Sequence, residues 1–143
     1  MHDPYDLERF VDAQRTTYDR ALEELNAGQK RTHWIWFIFP QLAGLGQSEM
    51  AWKYGISNLD EAKAYWTHPV LGPRLAECAR AALPHAARGA RQVFGTPDDL
   101  KLCSSMTLFR EAVPEEPVFG SMLDAYFGGK PDTRTLSRLR ATV

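Results

Sequence analysis

Four groups of side chains in this 143-residue sequence have types and spacings that suit chemistry. Lys30, His33, Trp34, Trp36, Phe37 and Gln41 set aromatic faces beside a few hydrogen-bonding groups, which is what a planar ligand needs. All four tryptophans, at 34, 36, 52 and 66, fall within 33 residues and concentrate aromatic surface in this part of the chain. Gly44-Leu45-Gly46-Gln47-Ser48 leads into a helix, and free N–H groups at a helix start beside glycines suit an anion. His68-Pro69-Val70-Leu71-Gly72-Pro73-Arg74 puts a histidine just before another helix, where it can act as an acid or base. Lys101 and Ser105 are four residues apart and share a helix face, with Ser104 adjacent, so a serine–lysine nucleophilic pair is conceivable.

Each group also has a structural reading. The aromatics between Trp34 and Phe37 can be plain core, with His33 bonded to a carbonyl. The glycine segment can be a tight loop closed by a serine cap, with Lys53 pointing either way. His68 can cap or pack, and the two serines can make a close helix–helix contact. The chain has no P-loop, dinucleotide fingerprint, paired-histidine metal motif or nucleophile elbow, so no metal site or cofactor is expected.

The elements that must position these groups are helices. Leu7, Phe10, Val11, Tyr18, Ala21, Leu22 and Leu25 recur at helical spacing and predict a helix from Asp6 to Asn26, ended by Gly28. The run Trp34 to Phe39 is apolar on nearly every side. With no second strand to pair with it, the run predicts a short buried helix through the middle of the domain, capped by Thr32 and stopped by Pro40. Ser48 predicts a cap for a helix through Tyr54, and Asn58 with Glu61 a capping box for a helix through Trp66. His68-Pro69 breaks that helix and starts one carrying Val70, Leu71, Leu75, Cys78, Ala79 and Ala82 to Pro84; a shorter helix ends at Phe94-Gly95. Thr96 as cap, Pro97 at the first position and Asp98-Asp99 in the first turn predict the next, whose inward stripe is Leu102, Met106, Phe109 and Val113. Pro114 to Pro117 separates it from a helix through Met122, Leu123, Tyr126 and Phe127, stopped by Gly128-Gly129. Asp132 or Thr133 caps the last, with Leu136 and Leu139 inward. The expectation is one all-α domain over residues 1–143, with seven or eight helices and no substantial sheet.

Composition narrows the function classes. Hydrophobic residues make up 44% and charged residues 24%, which is ordinary for a soluble globular chain. The longest apolar run has six residues, against the roughly 20 of a membrane span, so no membrane association is expected. The opening His2-Asp3-Pro4-Tyr5-Asp6 has no secretory pattern, which makes the cytoplasm the expected compartment. Net charge is −1, and Arg134, Arg138 and Arg140 are too sparse to predict a nucleic-acid surface. Cys78 and Cys103 lie in apolar helical patterns and read as buried thiols.

Several segments resemble a known family. They are His33-Trp34-Ile35-Trp36-Phe37-Ile38-Phe39-Pro40-Gln41, Gly44-Leu45-Gly46, Tyr54-Gly55-Ile56, His68-Pro69-Val70-Leu71-Gly72 and Lys101-Leu102-Cys103-Ser104-Ser105-Met106-Thr107-Leu108-Phe109. With Phe127-Gly128-Gly129, Asp132 and Thr135-Leu136 they extend over nearly the whole chain and resemble the bacterial domain-of-unknown-function family 1810, sometimes labelled calpastatin-like. The resemblance implies a single multihelical domain and supplies no catalytic residues. Nothing in the chain resembles the short repeated inhibitory motifs of true calpastatins.

Two functional readings follow. In the first, the helices enclose an aromatic, polar-edged cleft for a small anionic or planar ligand, lined by His33, Trp36, Gln41, His68, Lys101 and Ser105. An enzyme built this way would move protons through His33 or His68, in nucleotide or glycosidic chemistry. In the second, the chain is a protein-interaction module without a pocket, presenting an exposed helix face. Convergence of the polar groups on one concavity favours the first reading; local satisfaction of each group on a separate surface counts against it.

Overall fold

Helical periodicity carries through into the computed structural model, which describes residues 3–141. Ten α-helices occur among these residues: α1 Glu8–Arg15, α2 Tyr18–Asn26, α3 Ile35–Ile38, α4 Glu49–Lys53, α5 Leu59–Thr67, α6 Leu71–Ala82, α7 Ala90–Phe94, α8 Asp98–Ala112, α9 Pro117–Phe127 and α10 Thr133–Ala141. A 3₁₀ segment, Leu83–Arg88, extends α6 beyond Pro84. The described residues contain no strand, only a parallel bridge between Leu42 and Ile56, so the all-α reading holds.

Local chemistry explains most boundaries. Ser48 Oγ accepts from Ala51 N at 3.1 Å, and Asn58 Oδ1 accepts from Glu61 N at 2.9 Å. Glu61 completes its box one residue early, taking the N–H and hydroxyl of Ser57 rather than the N–H of Asn58. Asp132 caps α10 by accepting from Thr135 N at 3.0 Å. Gly128 ends α9 in the left-handed conformation, φ +62°, where glycine carries no steric penalty.

Three expected features differ. The first predicted helix is two helices. At the adjacent β-branched pair Thr16-Thr17, the Thr17 N–H turns to Gln14 O at 3.1 Å, a tighter turn than the α-helix makes. The break carries Gln14 inside, where its amide donates to Phe37 O and to the Tyr65 hydroxyl. Thr32 does not cap α3: its N–H and hydroxyl both go to Glu24. Nor does Thr96 cap α8, which begins at Asp98 with Pro97 in the cap position and no side-chain acceptor.

The middle of the molecule is α8 rather than α3, because α8 packs against α3, α5, α7, α9 and α10. Its residues from Ser104 to Phe109 are buried in unbroken succession, as a helix enclosed on all sides must be. α3 is one turn wedged against α1 and α8. Trp34, Ile35 and Ile38 are buried there, whereas Trp36 is only partly buried, so Trp34 is the ring that anchors this segment.

Candidate functional site

The bridge between Leu42 and Ile56 closes residues 43–55 into an excursion, with Ile56 N donating to Gln41 O at 2.9 Å and Ala43 N to Ile56 O at 2.7 Å. The glycine loop at its start lies against α10. Arg138 Nε donates to Ala43 O at 3.1 Å and Arg134 Nη2 to Leu45 O at 2.7 Å. A side chain at Gly44, φ +92°, would collide with the Arg138 guanidinium. Glycine is therefore needed there both for conformation and for the close approach.

A cleft of about 580 Å³ lies between this loop, the first turns of α8 and the α9–α10 junction. Gln41, Leu45 and Gly46 form one wall, Pro97, Leu100, Lys101, Cys103 and Ser104 the second, and Phe127 with Lys130 to Arg134 the third. The volume falls within the roughly 300–1,000 Å³ usual for small-molecule sites. Lys101, Lys130 and Arg134 face a single carboxylate in the lining, Asp132. Asp132 Oδ2 is occupied by the Ser104 hydroxyl, Thr135 N and the Thr135 hydroxyl. Gln41 is only 8% exposed, and its side-chain amide has no hydrogen-bond partner among the described residues. Backbone N–H groups of Thr133 and Arg134, at the open end of α10, have none either.

Of the six expected lining residues, Gln41 and Lys101 meet in this cleft. Trp36 stands behind Lys101, whose Nζ lies 5.7 Å from the ring centroid. The Trp36 Nε1 is buried without a partner. Ser105 is wholly buried in α8 with its hydroxyl unpartnered, and it is the neighbouring Ser104 that lines the cleft. His33 is exposed on the loop before α3. His68 lies elsewhere, its Nδ1 accepting from Val70 N and Leu71 N at 3.1 and 3.2 Å, so the ring acts as a cap for α6. Lys101 and Ser105 do not pair, since the Lys101 ammonium points to Asp98 Oδ1 at 3.4 Å. Phe127, Lys130, Asp132, Thr133 and Arg134 were missed. Gly128-Gly129-Lys130-Pro131-Asp132 before a helix is the same kind of signal as Gly44 to Ser48, and it marks the helix start that faces the cleft.

A family model described as "Protein of unknown function (DUF1810)" matches residues 4–139. The chain belongs to this family. Among solved structures, a 1.38 Å crystal structure of the conserved hypothetical protein Rv1873 from Mycobacterium tuberculosis is similar to this DUF1810 chain at 53% identity. The match covers 96% of this chain and 99% of that one, with a TM-score of 0.94. No curated protein matches the chain. The family resemblance carried by the aromatic, glycine and histidine–proline segments is therefore correct.

The Cys103 thiol is among the groups that line this DUF1810 cleft. Burial pushes the Cys103 thiol up to about 11, so at neutral pH it is protonated and a poor nucleophile. Cys78, deep in the core, is pushed up to about 12 for the same reason. Both cysteines are free. Among the described residues, no three His, Cys, Asp or Glu side chains are grouped to hold a metal ion. No helix of the described chain is long and apolar enough to cross a membrane.

Proposed function

We propose that this protein binds a small cytosolic ligand with an anionic group and an apolar body in the cleft between the glycine loop, α8 and α10. The Gln41 amide carries the reading. Although the residue is only 8% exposed, its amide opens onto the cleft rather than into the core. Gln41 lines the cavity with an amide that has no protein partner, so a ligand there can take both the donor and the acceptor it offers. Three cations around the same cavity favour an anion, and Leu45, Leu100 and Phe127 supply apolar walls.

The alternative, a protein-interaction module, has less behind it. Trp52 at 78% and Leu100 at 63% are the large apolar side chains most open to solvent, and Leu100 belongs to the cleft. A thermal-shift screen of the wild type and Gln41→Leu against a metabolite library tests the proposal. A ligand that stabilises the wild type and not the variant supports it, since binding to the folded state alone raises the melting temperature. If every stabilising compound acts equally on both proteins, or none stabilises either, the cleft is not a ligand site.

A further inference from the structure

We infer that the ligand is a nucleoside 5′-monophosphate, an inference that rests on the cleft being a ligand site and names the chemistry it takes. Four kinds of recognition group line the one cavity, and each matches a different part of such a molecule. The first is the start of α10. Thr133 N and Arg134 N lack partners in a nine-residue helix, and free N–H groups at the positive end of a helix are a phosphate seat. Lys130 adds an ammonium with no protein partner, and Arg134 retains guanidinium donors beyond the one given to Leu45 O.

The second is Asp132. It is the one carboxylate of the lining, set among Lys101, Lys130 and Arg134, and its three donors all go to Oδ2. Oδ1 remains as an acceptor, and a carboxylate beside a phosphate seat is suited to the hydroxyls of a ribose. The third is the Gln41 amide, which offers a donor and an acceptor side by side and can pair with a base edge, as glutamine does with adenine. The independent sign that something pairs with it is its own condition: more than nine-tenths buried, lining the cavity, unpartnered. The fourth is the apolar surface of Leu45, Leu100 and Phe127, which can cover the base faces. Leu100 is 63% exposed at the rim although apolar, as expected of a side chain a ligand would cover. Inorganic phosphate uses the first group alone and ribose 5-phosphate the first two, whereas a nucleotide uses all four.

Calorimetric titration of the wild type, Lys130→Gln and Gln41→Leu with AMP, GMP, CMP, UMP, adenosine, ribose 5-phosphate and inorganic phosphate tests this. At least one nucleotide is expected to bind at least about tenfold tighter than ribose 5-phosphate or phosphate. Lys130→Gln should weaken that nucleotide about tenfold and leave adenosine unaffected, while Gln41→Leu should weaken the nucleotide and leave ribose 5-phosphate unaffected. Equal affinity for ribose 5-phosphate and the nucleotides would overturn the nucleotide assignment and leave an anion cleft. No nucleotide binding, with a different library compound still sensitive to Gln41→Leu, would overturn it and leave a ligand cleft of another class. No compound of either set sensitive to Gln41→Leu would overturn both.

Discussion

Glu24 and Gln41 are hidden to the same degree, each 8% exposed, and their surroundings are opposite. Glu24 Oε1 accepts from Arg31 N, Thr32 N and Trp34 Nε1, and Oε2 from the Thr32 hydroxyl. Through these four hydrogen bonds it ties α2 to the loop that enters α3. Lys30, beside this knot, pairs with Asp98 Oδ2 at 2.7 Å and carries the tie on to α8. Gln41 is held by its backbone, and its amide opens onto the cleft with no protein partner. The two tryptophans of the segment repeat the contrast: Trp34 Nε1 is bonded to Glu24, and Trp36 Nε1, beside Lys101, is bonded to nothing. Burial alone therefore does not separate scaffold from site here. What separates these two residues is where their polar atoms point: Glu24 into donors of the scaffold, Gln41 into the cleft.

The largest expected effect is on the satisfied side. Trp34→Ala removes a fully buried ring and strands the Glu24 knot, and should cost about 3–5 kcal/mol in denaturant unfolding. Trp36→Ala, at a partly buried ring with an unbonded nitrogen, should cost less than half of that. Equal losses would erase the distinction between the two rings.

Glu24 is the next test. Burial opposes its ionisation, but the hydrogen bonds from Arg31, Thr32 and Trp34 outweigh burial and hold its pKa at about 2, against an ordinary 4.5. A depressed carboxyl pKa stabilises the fold fully above the unfolded value and loses that contribution as pH falls through the folded one. The contribution, on the order of 3 kcal/mol, should therefore be intact above pH 4.5 and disappear towards pH 2. Glu24→Gln should lower stability at pH 7 by about the same amount and flatten its pH dependence in that window. A variant with the wild-type acid profile would show that some other carboxylate dominates.

This contrast also explains what could be read from the chain beforehand. Ser48, Asn58, Asp132 and Gly128 act within five residues of themselves, so helix starts and stops at these positions are local chemistry. The break at Thr16-Thr17 depends on where Gln14 finds its partners, in Phe37 and Tyr65, and no local pattern encodes that. The central position of α8 was concealed for a related reason: its stripe of Leu102, Met106, Phe109 and Val113 marks only one of its buried faces, and Ser104, Ser105 and Thr107 are interior as well. Gln41 and Lys101 could be picked out by residue type, but the cleft also needs Lys130 to Arg134, which only tertiary packing brings to the glycine loop.

His68 gives a smaller test of the same principle. Its Nδ1 is engaged by the first N–H groups of α6, so His68→Ala should cost about 1 kcal/mol, the usual worth of a cap. Ligand-induced stabilisation should be unchanged, because the ring is outside the cleft. A lost ligand response would return His68 to the site.

The smallest stability effect, and the one that separates the two regions most sharply, is expected at Gln41. Substitution of a bonded buried amide leaves its former partners stranded and is costly. Replacing an unbonded one with an apolar group of similar shape is neutral or stabilising. Gln41→Leu should therefore shift stability by no more than about 0.5 kcal/mol, or raise it, while removing ligand binding. The corresponding change at Glu24 should cost stability without touching the cleft. The measurement is a pair of unfolding curves for each variant, with and without a ligand found by the wild-type screen. If Gln41→Leu lost 2 kcal/mol or more in the absence of ligand, the amide would have a structural partner, and the argument from its vacancy would fail along with the function drawn from it.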